Sequence, residues 1–451
     1  MTSKRATLGV RHRDAALESG DTSPQSKWRP YPKYKDSGIE WLGDIPAHWE
    51  AKRLKLLSFI NMGQSPSSDI VNTSGEGLPF LQGNADFGKE HPTAQTFCPA
   101  PPKIAEFGDV LLSVRAPVGA LNLADQKYGI GRGLCAIRPN IQILERTFCH
   151  YVLQIARHQL DELAKGSTYD AVSWSEVSCL IIPLPSIKEL RAIASFLDHE
   201  TAKIDALIEK KERLIDLLQE KRTALITQAV TKGLDPNVPM KDSGVEWLGN
   251  IPAHWEVRKW RYCCRINEGQ VDPKDDRYRD RVMIAPNHIE SGTGRILFIE
   301  TAEEQGAISG KYKVRCGELI YSKIRPALNK VCIAKGDWLC SADMYPVEVT
   351  VKDLHTRYLL NFILSEAFVH LMVDESMRVA MPKVNRETLT ACPILVPLLR
   401  EQGEIVDFLD REMAKIDALI AIIHEAIDRI KEYRSALISG AVTGKIDVQK
   451  V

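Results

Sequence analysis

No apolar run in this chain approaches the about 18 residues that a membrane-crossing helix needs. The basic start, Met1-Thr2-Ser3-Lys4-Arg5, has no apolar stretch of the kind that directs secretion. A cytoplasmic protein is the expectation. Net charge is missing as well: 59 Lys and Arg balance 59 Asp and Glu, so any nucleic-acid binding has to rest on local patches rather than on bulk attraction. None of the ten cysteines (98, 135, 149, 179, 263, 264, 316, 332, 340 and 392) stands in a Cys-x-x-Cys pair, and no histidine spacing completes a zinc pattern. Reduced, buried thiols are expected in their place.

Signatures of bond-making chemistry are absent too. Gly83-Asn84-Ala85-Asp86-Phe87-Gly88-Lys89 matches a phosphate-binding loop through its lysine, but Glu90 follows where Ser or Thr should hold Mg²⁺. A carboxylate there repels phosphate. There is no Asn-Pro-Pro or Asp-Pro-Pro tetrad of an amino-methyltransferase, no Gly-x-Gly loop that follows a strand to hold a methyl donor, no Gly-x-Ser-x-Gly elbow, no His-Glu-x-x-His and no Pro-Asp preceding a Glu-x-Lys nuclease core. No residue is nominated as catalytic, cofactor-binding or metal-ligating.

What is present is a repeat. Leu197, Thr201, Ile204, Ile208, Lys211, Ile215, Leu218, Arg222, Leu225 and Ala229 alternate spacings of four and three, the seam of a helix that pairs with another helix. About 30 such residues make a rod of roughly 45 Å, ended by Gly233 and Pro236. Adding 212 gives Leu409, Met413, Ile416, Ile420, Ile423, Ile427, Ile430, Arg434, Leu437 and Ala441, the same seam with Met413 and Ile423 in place of Thr201 and Lys211, and Ile430 in place of Leu218. The word Ala202-Lys203-Ile204-Asp205-Ala206-Leu207-Ile208 recurs unchanged at Ala414–Ile420. The polar seam positions Lys211, Arg222 and Arg434 suit a two-helix coil better than a closed core.

A second word is duplicated further upstream. Lys35–Glu50 returns at Lys241–Glu256 with two changes, Ile39 to Val245 and Asp44 to Asn250. Its glycines and proline forbid a continuous helix, so it should fold as a turn that docks Trp41, Trp49, Trp247 and Trp255. Those indoles either pack on their own domain or offer the same surface twice to identical subunits. The chain thus divides into a basic mobile arm (1–34), a first domain (35–185), a spacer helix (186–236), a second domain (237–397) and a second spacer helix (398–451). The two domains share a plan without sharing a sequence: Gly108–Ser113 aligns with Gly317–Ser322, followed by Arg115-Ala116-Pro117 and Arg325-Pro326. Helical stretches are expected near Leu153–Leu163 and Ile187–Phe196. The predicted class is α+β: two mixed α/β domains held apart by two long antiparallel coiled-coil helices, with a pseudo-two-fold internal repeat. Scaffolding that stays nearly identical while its domains diverge suits one partner met twice and two different targets.

These duplicated words, Gly-Ile/Val-Glu-Trp-Leu-Gly-x-Ile-Pro-x-His-Trp and Phe-Leu-Asp-x-Glu-x-Ala-Lys-Ile-Asp-Ala-Leu-Ile, resemble the specificity subunit of a type I restriction-modification enzyme over about Lys35 to Asp447. The resemblance implies a non-catalytic DNA reader with two target-recognition domains, each taking one half of a split double-stranded site. It implies two methyltransferase subunits and two motor-nuclease subunits as partners, with S-adenosylmethionine, ATP and Mg²⁺ bound by them. It also implies that the assembled complex methylates adenine N6 and cleaves DNA at the expense of ATP. Base readout needs Arg, Lys, Asn or Gln on loops. Loop position nominates Gln82, Asn84, Arg115, Lys165, Ser167 and Tyr169 in the first domain, and Asn287, His288, Lys323, Arg325, Arg378 and Lys383 in the second. The stretches 166–174 and 376–385 hold corresponding places. Three alternatives remain open at this point: a scaffold that assembles subunits without reading sequence, an enzyme with a dispersed active site, and a complex that only methylates. The recognised bases are not legible.

Overall fold

The computed structural model describes residues 28–157, 159–160, 171–376 and 383–450. The chain divides into two compact units, residues 1–209 with 426–451 and residues 210–425. Each unit holds one mixed domain and a stretch of both long helices. The helices are, in chain order, α1 (Arg146–Ala156), α2 (Trp174–Cys179), α3 (Ile187–Lys232), α4 (Thr356–Leu364), α5 (Glu366–Ser376), α6 (Arg386–Ala391) and α7 (Leu399–Val442). With 46 residues, α3 measures about 69 Å, longer than the rod read from the heptads. It starts at Ile187, before the seam begins, because its first turns pack into the domain core through Leu190 and Ile193.

The seam itself is where the spacing put it. Leu197, Ile204 and Ile215 on α3, and Leu409, Ile416, Ile427 and Leu437 on α7, are buried. Ile208, Leu218, Leu225, Ile420 and Ile430 are half-buried along the same faces. Two of the polar seam positions form ion pairs with the aspartates of the repeated words: Asp205 accepts from Arg434 Nε at 3.0 Å in the first unit, and Asp417 accepts from Arg222 in the second. In the first unit the Trp49 ring packs on Gly444 near the α3 start, so α7 retreats from 444 to 434 as α3 advances to 205. In the second, Gly233 lies beside Glu401 and Arg222 beside Asp417. The two helices run antiparallel within each unit.

The duplicated opening word has a mechanical job. A hairpin of Tyr34–Asp36 with Asp44–Pro46, matched by Met240–Asp242 with Asn250–Pro252, delivers a His-Trp pair to the first turn of a long helix. Glu189 of α3 is almost fully buried, and it accepts from Trp49 Nε1 at 3.0 Å, Tyr31 Oη at 2.6 Å and His48 Nε2 at 3.1 Å. Glu401 of α7 accepts from Trp255 Nε1 at 3.0 Å and His254 Nε2 at 2.9 Å. A carboxylate in the first helical turn also favours the helix dipole. Gly444 permits the close approach: it sits at φ 75°, and a Cβ there would stand 2.3 Å from Pro46.

This geometry corrects the docking nomination. Trp49 and Trp255 are fully buried and belong to their own units, because their indole N–H groups need the helix carboxylates. Trp41 and Trp247 are partly buried against the same cores. Residues 28–34, expected to belong to a mobile arm, are part of the packed first unit. From Trp28, whose ring meets Phe196 edge-on at 5.0 Å, the chain is seated on α3, and Tyr31 is buried. Residues 1–27 lie outside the described residues. The helix expected at Leu153–Leu163 begins at Arg146, one residue after Glu145, whose carboxylate caps Phe148 N.

Each domain carries the same two sheets. Ser58–Met62, Leu134–Pro139, Val110–Ser113 and Leu121–Leu123 lie in that order in the first. Cys264–Ile266, Met344–Val349, Leu319–Ser322 and Val331–Ile333 repeat it in the second. In the other sheet, Tyr128–Ile130 lies between Leu78–Leu81 (parallel) and Ile104–Ala105 (antiparallel), matched by Trp338–Cys340 between Met283–Ile284 and Lys311–Val314. The fourth strand breaks the likeness: Thr96–Cys98 extends one edge in the first domain, whereas Gln270–Val271 extends the opposite edge in the second. Eight cysteines are buried, but Cys179 and Cys316 are exposed. Burial pushes the Cys135, Cys332 and Cys392 thiols up to about 12, which keeps them protonated and unreactive.

Candidate nucleic-acid interface

The two domains build the same loop cluster at one end of their sheets. In the first, the strand Val110–Ser113 leads into Val114, whose N–H donates to Gly133 O at 2.9 Å and whose carbonyl accepts from Val172 N at 2.8 Å. Arg115 then pairs with Ala171 in an isolated bridge. In the second, Lys323 N donates to Asp343 O at 3.0 Å and Lys323 O accepts from Val384 N at 2.8 Å, while Ile324 bridges Lys383. The loops nominated from sequence therefore meet in space. The structural register shifts the alignment by one, however: Arg115 corresponds to Ile324, and Arg325 to Ala116.

In the first domain Gln82 and Arg115 are exposed and Asn84 is half-exposed at the start of a 3-10 turn. That turn removes what remained of the phosphate-loop likeness. Asp86 Oδ2 accepts from the N–H groups of Gln82 at 2.8 Å and Gly83 at 3.4 Å, so the amides that would cradle a phosphate are taken. Lys165, Ser167 and Tyr169 lie outside the described residues, as does Arg378 of the second domain.

In the second domain Asn287, Arg325 and Lys383 are exposed and Lys323 is half-buried, with its Nζ 5.4 Å from the centre of the Tyr345 ring. Lys330 Nζ donates to Pro286 O at 2.7 Å and ties the Asn287 turn to the 323–330 loop. Arg325 holds φ 48° and ψ 60°, a left-handed backbone that costs a non-glycine residue about 1–3 kcal/mol. Such strain persists where the surrounding structure imposes it, here at an exposed arginine beside the other cations.

His288 does not belong to the surface. It is fully buried, its Nδ1 accepts from Ala285 N at 3.3 Å, its Nε2 lies 3.2 Å from the Glu300 carboxylate, and Phe298 packs edge-on at 4.6 Å. The ring closes a turn, and a polar residue in a turn looked like a reader only because burial was invisible. Sequence reasoning also missed Arg386, whose guanidinium lies 5.5 Å from the centre of the same Tyr345 ring and donates to Glu268 at 2.7 Å. Its counterpart in the first domain is Trp174, half-exposed at 49%. Both residues directly follow the cap of a short helix (Asn385 and Ser173), a signal that was available.

Comparison with known proteins follows the same halves. A family profile described as "Type I restriction modification DNA specificity domain" matches residues 46–216 and again 252–432. The chain is 29% identical over 357 residues to the type I restriction enzyme EcoDI specificity subunit of Escherichia coli, covering 76% of this chain and 77% of that one. The EcoBI specificity subunit of Escherichia coli is 20% identical and spans 92% of this chain and 90% of its own. In fold, the chain is similar to one from a structure of a type I restriction-modification system, with a TM-score of 0.66 at 16% identity over 89% of this chain and 99% of that. The profile matches twice, once on each copy of the duplicated plan, and its two matches cover most of the 451 residues. The chain therefore belongs to the family of specificity subunits of type I restriction-modification enzymes.

Proposed function

We propose that this chain reads a split DNA site, one half through the loops around Gln82, Asn84 and Arg115 and the other through Asn287, Lys323, Arg325 and Lys383. The observation that carries this reading is the same loop cluster built twice on one backbone plan with different side chains, the arrangement expected when one frame presents two different readouts. Arginine and lysine on such loops suit guanine edges and phosphates, and Asn or Gln suits adenine. The paired helices α3 and α7 act as the spacer that sets the unread gap.

The chain supplies the address and its partners supply the chemistry. Two methyltransferase subunits assemble on it and methylate an adenine in each half-site, using S-adenosylmethionine that they bind themselves. An adenine inside a duplex has to be turned out of the stack to be methylated, so the readout must leave one face of the site accessible. Two motor-nuclease subunits, with their ATP and Mg²⁺, complete the restriction complex. Selection from a random duplex library tests this, using the chain co-purified with its methyltransferase and sequencing bound and newly methylated DNA. Two short fixed blocks at a constant separation are expected. A stable complex that enriches no motif would move the chain to a pure scaffold.

A further inference from the structure

The reading end of the first domain holds one cation more than loop position alone nominates. Arg132 is the corner of a turn closed by Leu134 N–H, which donates to Gly131 O at 3.0 Å. Backbone bonds clamp that turn from three neighbouring segments: Gly131 N donates to Leu81 O at 2.8 Å, Gln64 N to Ile130 O at 3.0 Å, and Val114 N to Gly133 O at 2.9 Å. Only glycine fits where these segments touch. A Cβ on Gly63 would stand 2.1 Å from Gly131 O, and one on Gly133 would stand 2.7 Å from Gln82 O. The backbone of the corner is therefore fixed, and Arg132 is exposed on it.

Arg132 stands beside Arg115. The pairing of Val110–Ser113 with Leu134–Pro139 continues through the Val114–Gly133 bond, and the two arginines lie one residue beyond it, one on each chain segment. Both are exposed, and neither makes a salt bridge among the described residues. Lys103, whose carbonyl accepts from Ile130 N at 3.0 Å, adds a third exposed cation next to the turn. Asp86 is the carboxylate of these loops, and the Gln82 and Gly83 amides already donate to it. Like charges held opposite each other repel, and an electron-rich ligand relieves that repulsion. The second domain builds the same turn without the pair. Met344 N donates to Ser341 O at 3.0 Å, Ser341 N to Ile284 O at 2.8 Å, and Lys323 N to Asp343 O at 3.0 Å. That register puts Ala342 at the position of Arg132 and Ile324 at that of Arg115. Its cations stand elsewhere, at Lys323, Arg325 and Lys383.

We propose that Arg132 reads a guanine in the first half-site, with its guanidinium fork donating to O6 and N7 of one base. A base edge suits this residue better than a phosphate. Two-pronged recognition depends on where the side chain starts, which the clamped turn fixes, whereas a phosphate is satisfied by any mobile cation. This rests on the reading that the chain takes DNA on these loops. It deepens that reading by giving the first half-site a guanine contact for which the second domain has no counterpart.

The test uses the full chain co-purified with its methyltransferase, as wild type, Arg132→Ala and Arg132→Lys. It measures the selected motif, and the affinity for that motif and for duplexes changed at one base pair. Arg132→Ala should bind the motif about tenfold more weakly and lose its preference at one guanine of one half-site. Arg132→Lys keeps the charge and should recover part of the affinity, yet discriminate less at that guanine, because an ammonium lacks the planar fork. The other half-site and thermal unfolding should be unchanged in both. Equal weakening of Arg132→Ala on every duplex, with full rescue by lysine, would make Arg132 a phosphate contact and overturn the proposal. Wild-type affinity and motif in Arg132→Ala would also overturn it and leave the DNA-reading function standing. A wild-type complex that selects no motif would overturn that function and the proposal with it.

Discussion

Both domains pack on the long helices through apolar cores, but the second adds two arginine fastenings to α7, Arg357 to Asp410 and Arg295 to Asp417, where the first has Thr147 at the position of Arg357 and a shorter hairpin at that of Arg295. On the first side Asp205 pairs with Arg434 alone, whereas on the second Asp417 takes both Arg222 and Arg295. The difference shows what duplication constrains. The residues that must mate with each other, Asp205 with Arg434 and Asp417 with Arg222, are the same in both copies, because a change on one side strands a charge on the other. The surfaces that face outward are under no such pairing and drift apart.

The sharpest way to break the comparison is at the two mating aspartates. Asp417→Ala strands Arg222, which is only 7% exposed, and also releases Arg295, so a loss of about 3–5 kcal/mol is expected. Asp205→Ala strands Arg434, which is more exposed and can turn to water, so a loss of about 1 kcal/mol or less is expected. Urea unfolding of both variants side by side measures the gap; equal losses would contradict the asymmetry.

The reading ends offer a second contrast. Arg325→Ala or Lys383→Ala should weaken specific binding by about 1–3 kcal/mol if the residue contacts a base edge. The relaxation should fall in one half-site only, and Arg115→Ala should relax the other. Binding to selected duplexes altered in one half at a time separates them. Unchanged affinity and motif would remove that residue from the interface.

The smallest effect concerns His150, whose counterpart is Leu360. Burial, with Arg434 nearby, pulls the His150 imidazole down to about 4. The unfolded chain binds this proton near pH 6.5, while the folded one refuses it until about 4. Stability should therefore fall as pH drops across that window. An NMR titration should place His150 near 4, and His150→Leu should flatten that part of the stability profile. A midpoint near 6.5 would show the ring to be solvated.

Much of the frame was legible because its signals are local and doubled. The heptads of Leu197 to Ala229 and Leu409 to Ala441 predicted both long helices, and the seam arginines pointed to a coil of two. The role of Trp49 and Trp255 was not legible, because a turn with two indoles looks alike whether it packs inward or outward. Their partners, Glu189 and Glu401, lie about 140 residues downstream. His288 failed for the same reason: its loop position was right, but burial decides its role. The fastenings Arg357 to Asp410 and Arg295 to Asp417 were not legible either, since each pairs residues more than 50 positions apart.

Inserting one heptad into both α3 and α7 tests most directly whether the paired helices set the distance between the two loop clusters proposed to read DNA. Seven residues add about 10 Å, or about 3 base pairs of DNA. Selection with the lengthened chain and its methyltransferase should return the same two half-sites with a longer gap. Altered half-sites, or the original gap, would show that the helices do not act as the ruler.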